Sequence, residues 1–245
     1  MTINVMKRYE LKYLMDPGQT AFLRRKLSGH MKIDEFGLTS IASLYYDTPD
    51  ARLVRESLEK PVFKEKIRLR SYGLATEESP VFLELKRKYG GVVYKRRAQS
   101  TIPEVEGFFT GEEITGGEAQ IRKELAYFRD HYRTLAPACL IIYDRVAYYE
   151  PDGDLRLTID MDPRYRMEDL TLTDSMDGIS LLPAGWSVLE IKVQGAMPLW
   201  LSEALNEGRI YKSSFSKYGE AFRRELLKTK EGIIELPASA ILRVA

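Results

Sequence analysis

The sequence predicts an α+β protein with about eight mostly antiparallel strands and with helices packed around them. Closing these strands would give a barrel-shaped tunnel. Many short segments alternate apolar and polar residues with a period of two, which is typical of strands. Turn sequences at 89–91 and 151–154 join neighbouring segments as antiparallel hairpins. Residues 103–133 instead have the spacing of helices. A barrel of this size has an interior that holds side chains or a ligand.

The first half of the chain begins with a strand and a helix. Residues 7–14 alternate and predict the first strand. Asp16 and Pro17 suit an N-cap and a first helical position, so a helix is expected from there to about Gly29. The next predicted elements are a strand at 39–47, a short helix at 51–58, and strands at 62–72, 81–88 and 92–102.

The second half mixes helical and strand-like segments. The helical region 103–133 is rich in glutamate and keeps negative charge apart from the strands. The later predicted elements are strands at 139–149, 155–160 and 186–193, a mixed region at 161–185, and helices at 198–207 and 216–228. The whole chain, 1–245, is interpreted as one domain with its core at about 6–228. Its C-terminal segment, 229–245, is expected to pack on that core.

Charge and composition exclude several classes of protein. A formal net charge of +1 does not fit a general nucleic-acid binder. The single Cys139 excludes an intramolecular disulfide, and its apolar neighbours predict a buried thiol rather than a nucleophile. His30 and His131 lack the spacing of a zinc site. No apolar run approaches the ~20 residues that span a bilayer, so a cytoplasmic protein is predicted, and any membrane link would come through a partner protein.

The charged faces of the central strands favour lysine and arginine. Because side chains alternate along a strand, Arg68 and Arg70 share one face, and Glu84 and Lys86 share one face of the next strand. The following strand adds three cations at 95–97. An ordinary solvated face would mix small polar residues with both signs of charge. The pattern leaves two interpretations open at this point: a plain solvated sheet, and a cationic tunnel that binds a polyanion.

Several short motifs, taken in order, resemble those of the VTC domain. This is the polyphosphate polymerase domain of the vacuolar transporter chaperone complex and its bacterial relatives. The motifs are ELK at 10–12, IRLR at 67–70, LELK at 83–86, YDR at 143–145, LRL at 155–157, VLEIK at 188–192 and FSKY at 215–218. Each is weak alone, and their order and spacing carry the resemblance. It implies a triphosphate tunnel fold, similar to that of the CYTH triphosphatases, in which eight antiparallel strands close into a barrel with helices packed around the outside.

The resemblance also implies a reaction and the residues that perform it. The tunnel would bind ATP by its phosphates and, with Mn²⁺ or Mg²⁺, transfer the γ-phosphoryl group to a growing polyphosphate chain. The implied catalytic cations are Lys12, Arg68, Arg70, Lys86, Arg145 and Arg156. The implied further substrate contacts are Lys95, Arg97, Lys192 and Lys217. The implied metal ligands are Glu190, Glu84 and Glu10.

Several of these assignments keep an alternative. Glu190 could instead pair with an arginine of the wall, and Glu84 and Glu10 are either metal ligands or charge balancers. Lys217 could be a surface lysine of its helix. The tunnel superfamily has Glu-x-Glu-x-Lys in its first strand, whereas this chain has Arg8 at the first of those positions. That departure fits the polymerase branch and leaves the metal with fewer ligands.

Two other functions rival the polymerase. One is an inorganic or nucleoside triphosphatase, which would use water as the acceptor on the same fold. The other is a non-catalytic module that binds polyphosphate. Recognition through phosphates predicts poor selectivity for the nucleobase. The tyrosines interpreted as core aromatics rather than base-stacking residues are Tyr45, Tyr46, Tyr143 and Tyr148.

Overall fold

A computed structural model of the chain describes residues 9–59, 61–90 and 92–230. The strands are β1 (Tyr9–Met15), β2 (Lys32–Asp47), β3 (Phe63–Tyr72), β4 (Val81–Tyr89), β5 (Val92–Ser100), β6 (Ala136–Tyr149), β7 (Arg156–Arg166), β8 (Ile179–Ser180) and β9 (Ser187–Val193). The helices are α1 (Pro17–Leu27), α2 (Arg52–Leu58), α3 (Ile102–Thr110), α4 (Ala119–Tyr132), α5 (Leu199–Glu207) and α6 (Lys217–Lys230).

The strands form one antiparallel sheet in the order β1-β9-β7-β6-β2-β3-β4-β5, with β8 beside β7. The predicted α+β class with antiparallel strands is therefore confirmed. The predicted closed eight-stranded barrel is wrong for the described residues, because β1 and β5 are the two ends of this order and do not pair with each other. The sheet is open along the seam between them.

The free edge of β1 is covered by the segment that precedes α6. Tyr13 forms a backbone bridge with Lys212 of that segment, so the bridge occupies part of the edge that would otherwise pair with another strand. An ion pair of 2.8 Å joins Lys86 of β4 to Glu10 of β1. The sheet therefore curls far enough for side chains from its two halves to meet, although no backbone ladder closes it.

The outer face of the sheet carries most of the apolar core. Leu69, Leu83 and Leu85 are fully buried there beneath α3 and α4, where they pack with Phe108 and Phe128. Helices α1 and α5 cover the other half of the sheet in the same way. Because successive side chains of a strand point to opposite faces, burial of this apolar row directs the charged row of β3 and β4 toward the interior.

Helix α6 covers one end of the curled sheet. Tyr218, and Phe215 just before the helix, pack with the inward-facing Cys139 and Ile141 of β6. Ser216 acts as the N-cap, since its Oγ accepts a hydrogen bond of 3.3 Å from a backbone N–H of the first turn. The predicted buried thiol is confirmed, because Cys139 is fully buried and burial raises the pKa of its thiol.

Irregular pairing explains where strand boundaries differ from the predicted ones. Strand β2 begins at Lys32, earlier than the predicted residue 39, because the register with β6 shifts between Ile33 and Leu38. Gly37 within this bulge has a φ of 57°, and a bulge interrupts the alternation on which the prediction depends. Strand β7 also runs past residue 160, to Arg166.

Two earlier expectations lie outside the described residues. These are the role of Arg8 in the first-strand motif and the packing of residues 231–245. The interpretation as a single domain remains a prediction. Among the helices that the structure describes, none has the length and apolar character needed to cross a bilayer.

Candidate functional site

The inner face of the sheet carries far more cations than carboxylates. Among the described residues, its ion pairs join nine cationic side chains to four carboxylates, and Lys66 adds a tenth, so this set has six more cationic side chains than carboxylates. The cations are Lys12, Lys66, Arg68, Arg70, Lys86, Lys95, Arg97, Arg145, Lys192 and Lys217. The carboxylates are Glu10, Glu84, Asp160 and Glu190. Like charges at this density repel one another, so a bound anion would stabilise the folded protein.

The inner faces of β3, β4 and β5 form one wall of the interior. Glu84 of β4 lies at its centre, between Arg68 of β3 and Arg97 of β5, with only 1% of its side chain exposed. Its Oε2 accepts a hydrogen bond of 2.9 Å from Arg68 Nε and lies 3.7 Å from Arg70 Nη1. Its Oε1 lies 2.6 Å from Lys95 Nζ and 3.4 Å from Arg97 Nε. Burial alone would raise the pKa of Glu84, but these cations hold it well below its usual value. Because four cations, two on each oxygen, share this one buried carboxylate, the geometry favours charge balancing over metal binding.

Two tyrosine hydroxyls orient the arginines of β3. Tyr45 Oη accepts a hydrogen bond of 2.9 Å from Arg68, and Tyr143 Oη accepts one of 3.2 Å from Arg70. Burial alone would raise the pKa of Tyr143, but the nearby Arg145 and Arg70 lower it to about 8. Both rings belong to the apolar cluster beneath α6, which fits their interpretation as core aromatics, and their hydroxyls also belong to the cationic site. An aromatic residue in an alternating strand gives no signal of that second role.

Asp160 of β7 is a buried carboxylate that none of the motifs marks. It accepts hydrogen bonds from Arg145 Nε at 2.6 Å and from Arg145 Nη2 at 2.9 Å, and Lys217 Nζ donates to it at 2.5 Å. These two cations lower the pKa of Asp160 against the opposite effect of burial. Lys217 is thus an interior cation rather than a surface lysine. The sequence could have indicated this residue, because Asp160 is four positions after Arg156 and therefore lies on the same strand face.

Glu190 and Glu10 form the remaining carboxylate group. Glu190 lies 2.8 Å from Lys192 and 3.8 Å from Lys12, and Glu10 pairs with Lys86 at 2.8 Å. Their strands are adjacent, so the two carboxylates are diagonal neighbours on one face. The described residues contain no group of three or more metal-ligand side chains. Two carboxylates still fit Mg²⁺ or Mn²⁺, which take one or two carboxylates together with substrate phosphates.

Lys66 has no carboxylate within ion-pair distance among the described residues. Its Nζ lies 3.4 Å from Ser216 Oγ at the start of α6. Burial lowers the pKa of Lys66 to about 7, and the neighbouring Lys12, Lys64 and Lys86 act in the same direction. Without a bound anion, this lysine is therefore only partly protonated near neutral pH.

Comparison with known families identifies the chain. The family model of the VTC domain matches residues 7–225. The chain belongs to the VTC domain family. This confirms the resemblance drawn from the motifs. No protein with a curated description is detectably similar to the chain.

Solved structures similar to this VTC domain share little sequence with it. A candidate adenylate cyclase from Bacillus halodurans is 15% identical, with a TM-score of 0.45, and the match covers 95% of each chain. A candidate adenylyl cyclase from Hippeastrum, described as having a dominant triphosphatase activity, is 18% identical with a TM-score of 0.48. That match covers 89% of the VTC domain and 96% of the other chain.

One predicted site cation of the VTC domain lies apart from the network. Arg156, at the start of β7, is exposed and donates to the backbone carbonyls of Glu150 at 3.4 Å and Leu155 at 3.2 Å. Its strand position is opposite Lys192, so it shares the inner face but lies at the rim. Its contact with phosphate remains a prediction.

The free energy of unfolding should depend on pH through Lys66, which has no carboxylate partner among the described residues. The pKa of Lys66 is about 7 in the folded protein and near the ordinary 10.5 when unfolded, so the unfolded state binds more protons between these values. Without anion, we therefore expect the free energy of unfolding to rise as the pH increases through this window. Lys95 acts with the same sign, because burial lowers its pKa to about 8.

Denaturant unfolding at several pH values across the window measures this slope. Saturating tripolyphosphate should flatten it, because a bound anion restores the lysine pKa. The Lys66→Arg variant should also show a smaller slope, since arginine keeps its proton in both states. An identical slope in wild type and Lys66→Arg would show that Lys66 does not cause the effect.

Proposed function

We propose that this VTC domain is a polyphosphate polymerase that transfers the γ-phosphoryl group of ATP to a growing inorganic polyphosphate chain. The observation that carries the proposal is the excess of six cationic side chains over carboxylates in this set of residues on the inner face. Their mutual repulsion is relieved by a ligand with several closely spaced negative charges. A triphosphate or polyphosphate chain has that form, and it can contact several strands of a curled sheet at once.

Phosphoryl transfer requires mainly positioning and electrostatic stabilisation from the protein. Arg68 and Arg70 can each present parallel donors to phosphate oxygens, whereas Lys12 and Lys86 act as point charges. Glu84 and the two tyrosine hydroxyls hold the arginines in place before the substrate arrives. In the reaction, the bond between the γ-phosphorus and the β–γ bridging oxygen breaks. An oxygen of the terminal phosphate of the chain forms the new bond, and ADP leaves with the bridging oxygen.

Glu190 and Glu10 are the residues that would hold Mn²⁺ or Mg²⁺. When bound, a divalent cation neutralises charge on the phosphate oxygens as the transition state forms. Lys12, Lys86 and Lys192 flank these carboxylates at 2.8–3.8 Å, so phosphates and carboxylates meet at the same part of the wall. Glu84 keeps its role as counter-ion to the arginines.

Location and partners belong to the same proposal. The single cysteine, Cys139, is buried and unpaired, which suits a reducing compartment. We therefore propose that the reaction takes place in the cytoplasm. ATP and polyphosphate are the ligands, nucleic acid is not a partner, and a separate membrane protein would export the product.

The product formed from ATP tests the proposal. Purified protein incubated with ATP and Mn²⁺ is expected to add one phosphate unit to polyphosphate for each ADP that it forms. Gel electrophoresis measures the growth of the polymer, and an assay of free phosphate measures hydrolysis. A parallel reaction with EDTA should form neither product, because the transfer depends on the metal.

The outcomes separate the three functions that share this interior. Free phosphate without chain growth would make the protein a triphosphatase and would contradict the polymerase. Absence of both reactions, with tight binding of polyphosphate, would make it a binding module. Failure to bind tripolyphosphate at all would contradict the anion site itself.

A further inference from the structure

Two aromatic side chains continue the cationic inner face to the rim of the sheet. Tyr72 lies two residues beyond Arg70 on β3 and therefore on the same face. Phe82 of β4 is paired directly with Arg70. The inner row of this wall thus changes from cations to aromatic rings at its end away from α6.

The two rings are held in a defined arrangement. The ring centroids of Tyr72 and Phe82 are 5.7 Å apart, with an interplanar angle of 76°. The guanidinium of Arg97 stacks on Phe82 at 3.6 Å from the ring centroid and donates a hydrogen bond of 3.0 Å to Tyr72 Oη. The rings are therefore preorganised by the same arginine that faces Glu84.

Tyr72 differs from the other inward-facing tyrosines in its exposure. Tyr143 is buried in the core that α6 covers, whereas Tyr72 is 47% exposed. The Tyr72 ring is thus partly open to solvent on the face that otherwise carries charge. Aromatic faces at the edge of an anion site are suited to stacking with a planar ring.

The closed and open ends of the interior set the direction of a bound nucleotide. At the covered end, Phe215 and Tyr218 are buried against Cys139 and Ile141 of β6, whereas Tyr72 at the opposite end is exposed. Tyr72 is two positions after Arg70, so their backbone positions are about 7 Å apart along the strand. This distance suits the ribose that separates the α-phosphate from the base. Phosphates held by Arg68 and Arg70 would therefore place the base at the rim.

We propose that Tyr72 and Phe82 form a stacking site for the nucleobase of the donor nucleotide. This inference rests on the proposed use of a nucleoside triphosphate. Stacking acts on the face of any base, so the site distinguishes a nucleotide from a bare phosphate chain rather than one nucleotide from another. It lets the enzyme hold its donor more tightly than an oligophosphate of similar length.

Paired titrations with ATP and tripolyphosphate test this site. Calorimetry in EDTA, so that no turnover occurs, gives both affinities for wild type, Tyr72→Leu, Phe82→Leu and Tyr72→Phe. We expect Tyr72→Leu to weaken ATP roughly fivefold to tenfold relative to tripolyphosphate, and Phe82→Leu to act in the same direction. Tyr72→Phe keeps the aromatic ring and loses only the hydroxyl that Arg97 contacts, so its ratio of the two affinities should lie closer to wild type than that of Tyr72→Leu.

An exposed tyrosine on the other face of β4 and two other nucleotides serve as controls. Tyr89→Leu, an exposed tyrosine on the outer face of β4, should leave both affinities unchanged, and GTP and CTP should respond to Tyr72→Leu as ATP does. An ATP-to-tripolyphosphate ratio equal to wild type in both leucine variants would overturn the stacking site while leaving the anion site intact. Absence of tripolyphosphate binding in wild type would overturn the proposed function as well.

Discussion

Replacing Glu84 by glutamine is expected to destabilise the anion-free protein by about 3 kcal/mol, the size of effect seen when one partner of a buried charge network is removed. Arg68, Arg70, Lys95 and Arg97 all lie within 3.7 Å of its oxygens, and they would be left without their shared counter-ion. A bound tripolyphosphate can supply the missing negative charge. The difference in stability between wild type and Glu84→Gln should therefore shrink when this anion is added.

Denaturant unfolding with and without tripolyphosphate measures both quantities. A matched control is Glu124→Gln, which removes a carboxylate that pairs with Arg87 and Arg96 under α4 on the outer face. Its difference from wild type should be unaffected by the anion. A Glu84→Gln protein whose deficit is equally large with and without tripolyphosphate would contradict the role of Glu84 as a counter-ion within the anion site.

Replacing Arg68 by alanine should lower kcat/KM for phosphoryl transfer by about 10²–10³-fold, as expected for loss of a donor aimed at developing charge. Arg68 is fixed by Glu84 and Tyr45, so its guanidinium is already oriented when the phosphates bind. Arg68→Lys keeps the charge but not the parallel donors, so its activity should lie between those of wild type and Arg68→Ala. Lys86→Ala should also lose most of the activity.

Steady-state kinetics, together with a thermal unfolding curve for each variant, measure this effect. Lys123→Ala removes an exposed cation of α4, outside the interior, and should leave kcat/KM unchanged. Turnover near the wild-type rate in both Arg68→Ala and Lys86→Ala would exclude the inner face as the place of the reaction.

The strand alternation was enough to place many of the site residues on one face. A period of two predicts that Arg68 and Arg70 face the same way, and the register of β3 with β4 brings Glu84 opposite Arg68. The excess of lysine and arginine in these rows is likewise a property of the sequence. Wall composition can therefore be predicted where strands are regular, because it depends only on local geometry.

Contacts across the interior could not be predicted in this way. Lys86 and Glu10 are 76 positions apart in the chain and meet only because the sheet curls. Whether the sheet closes depends on which segment reaches the free edge of β1, and Lys212 lies in a region with no strand pattern. Asp160 ends the predicted strand, and its contacts with Arg145 and Lys217 depend on where α6 begins.

The position of bound tripolyphosphate tests the central claim most directly. A crystal structure with this anion should place its phosphates on the inner face, between Arg68, Lys86 and Lys217. Phosphate bound instead on the outer face, for example in the cavity lined by Arg87 and Lys123 beneath α4, with the inner face empty, would contradict it.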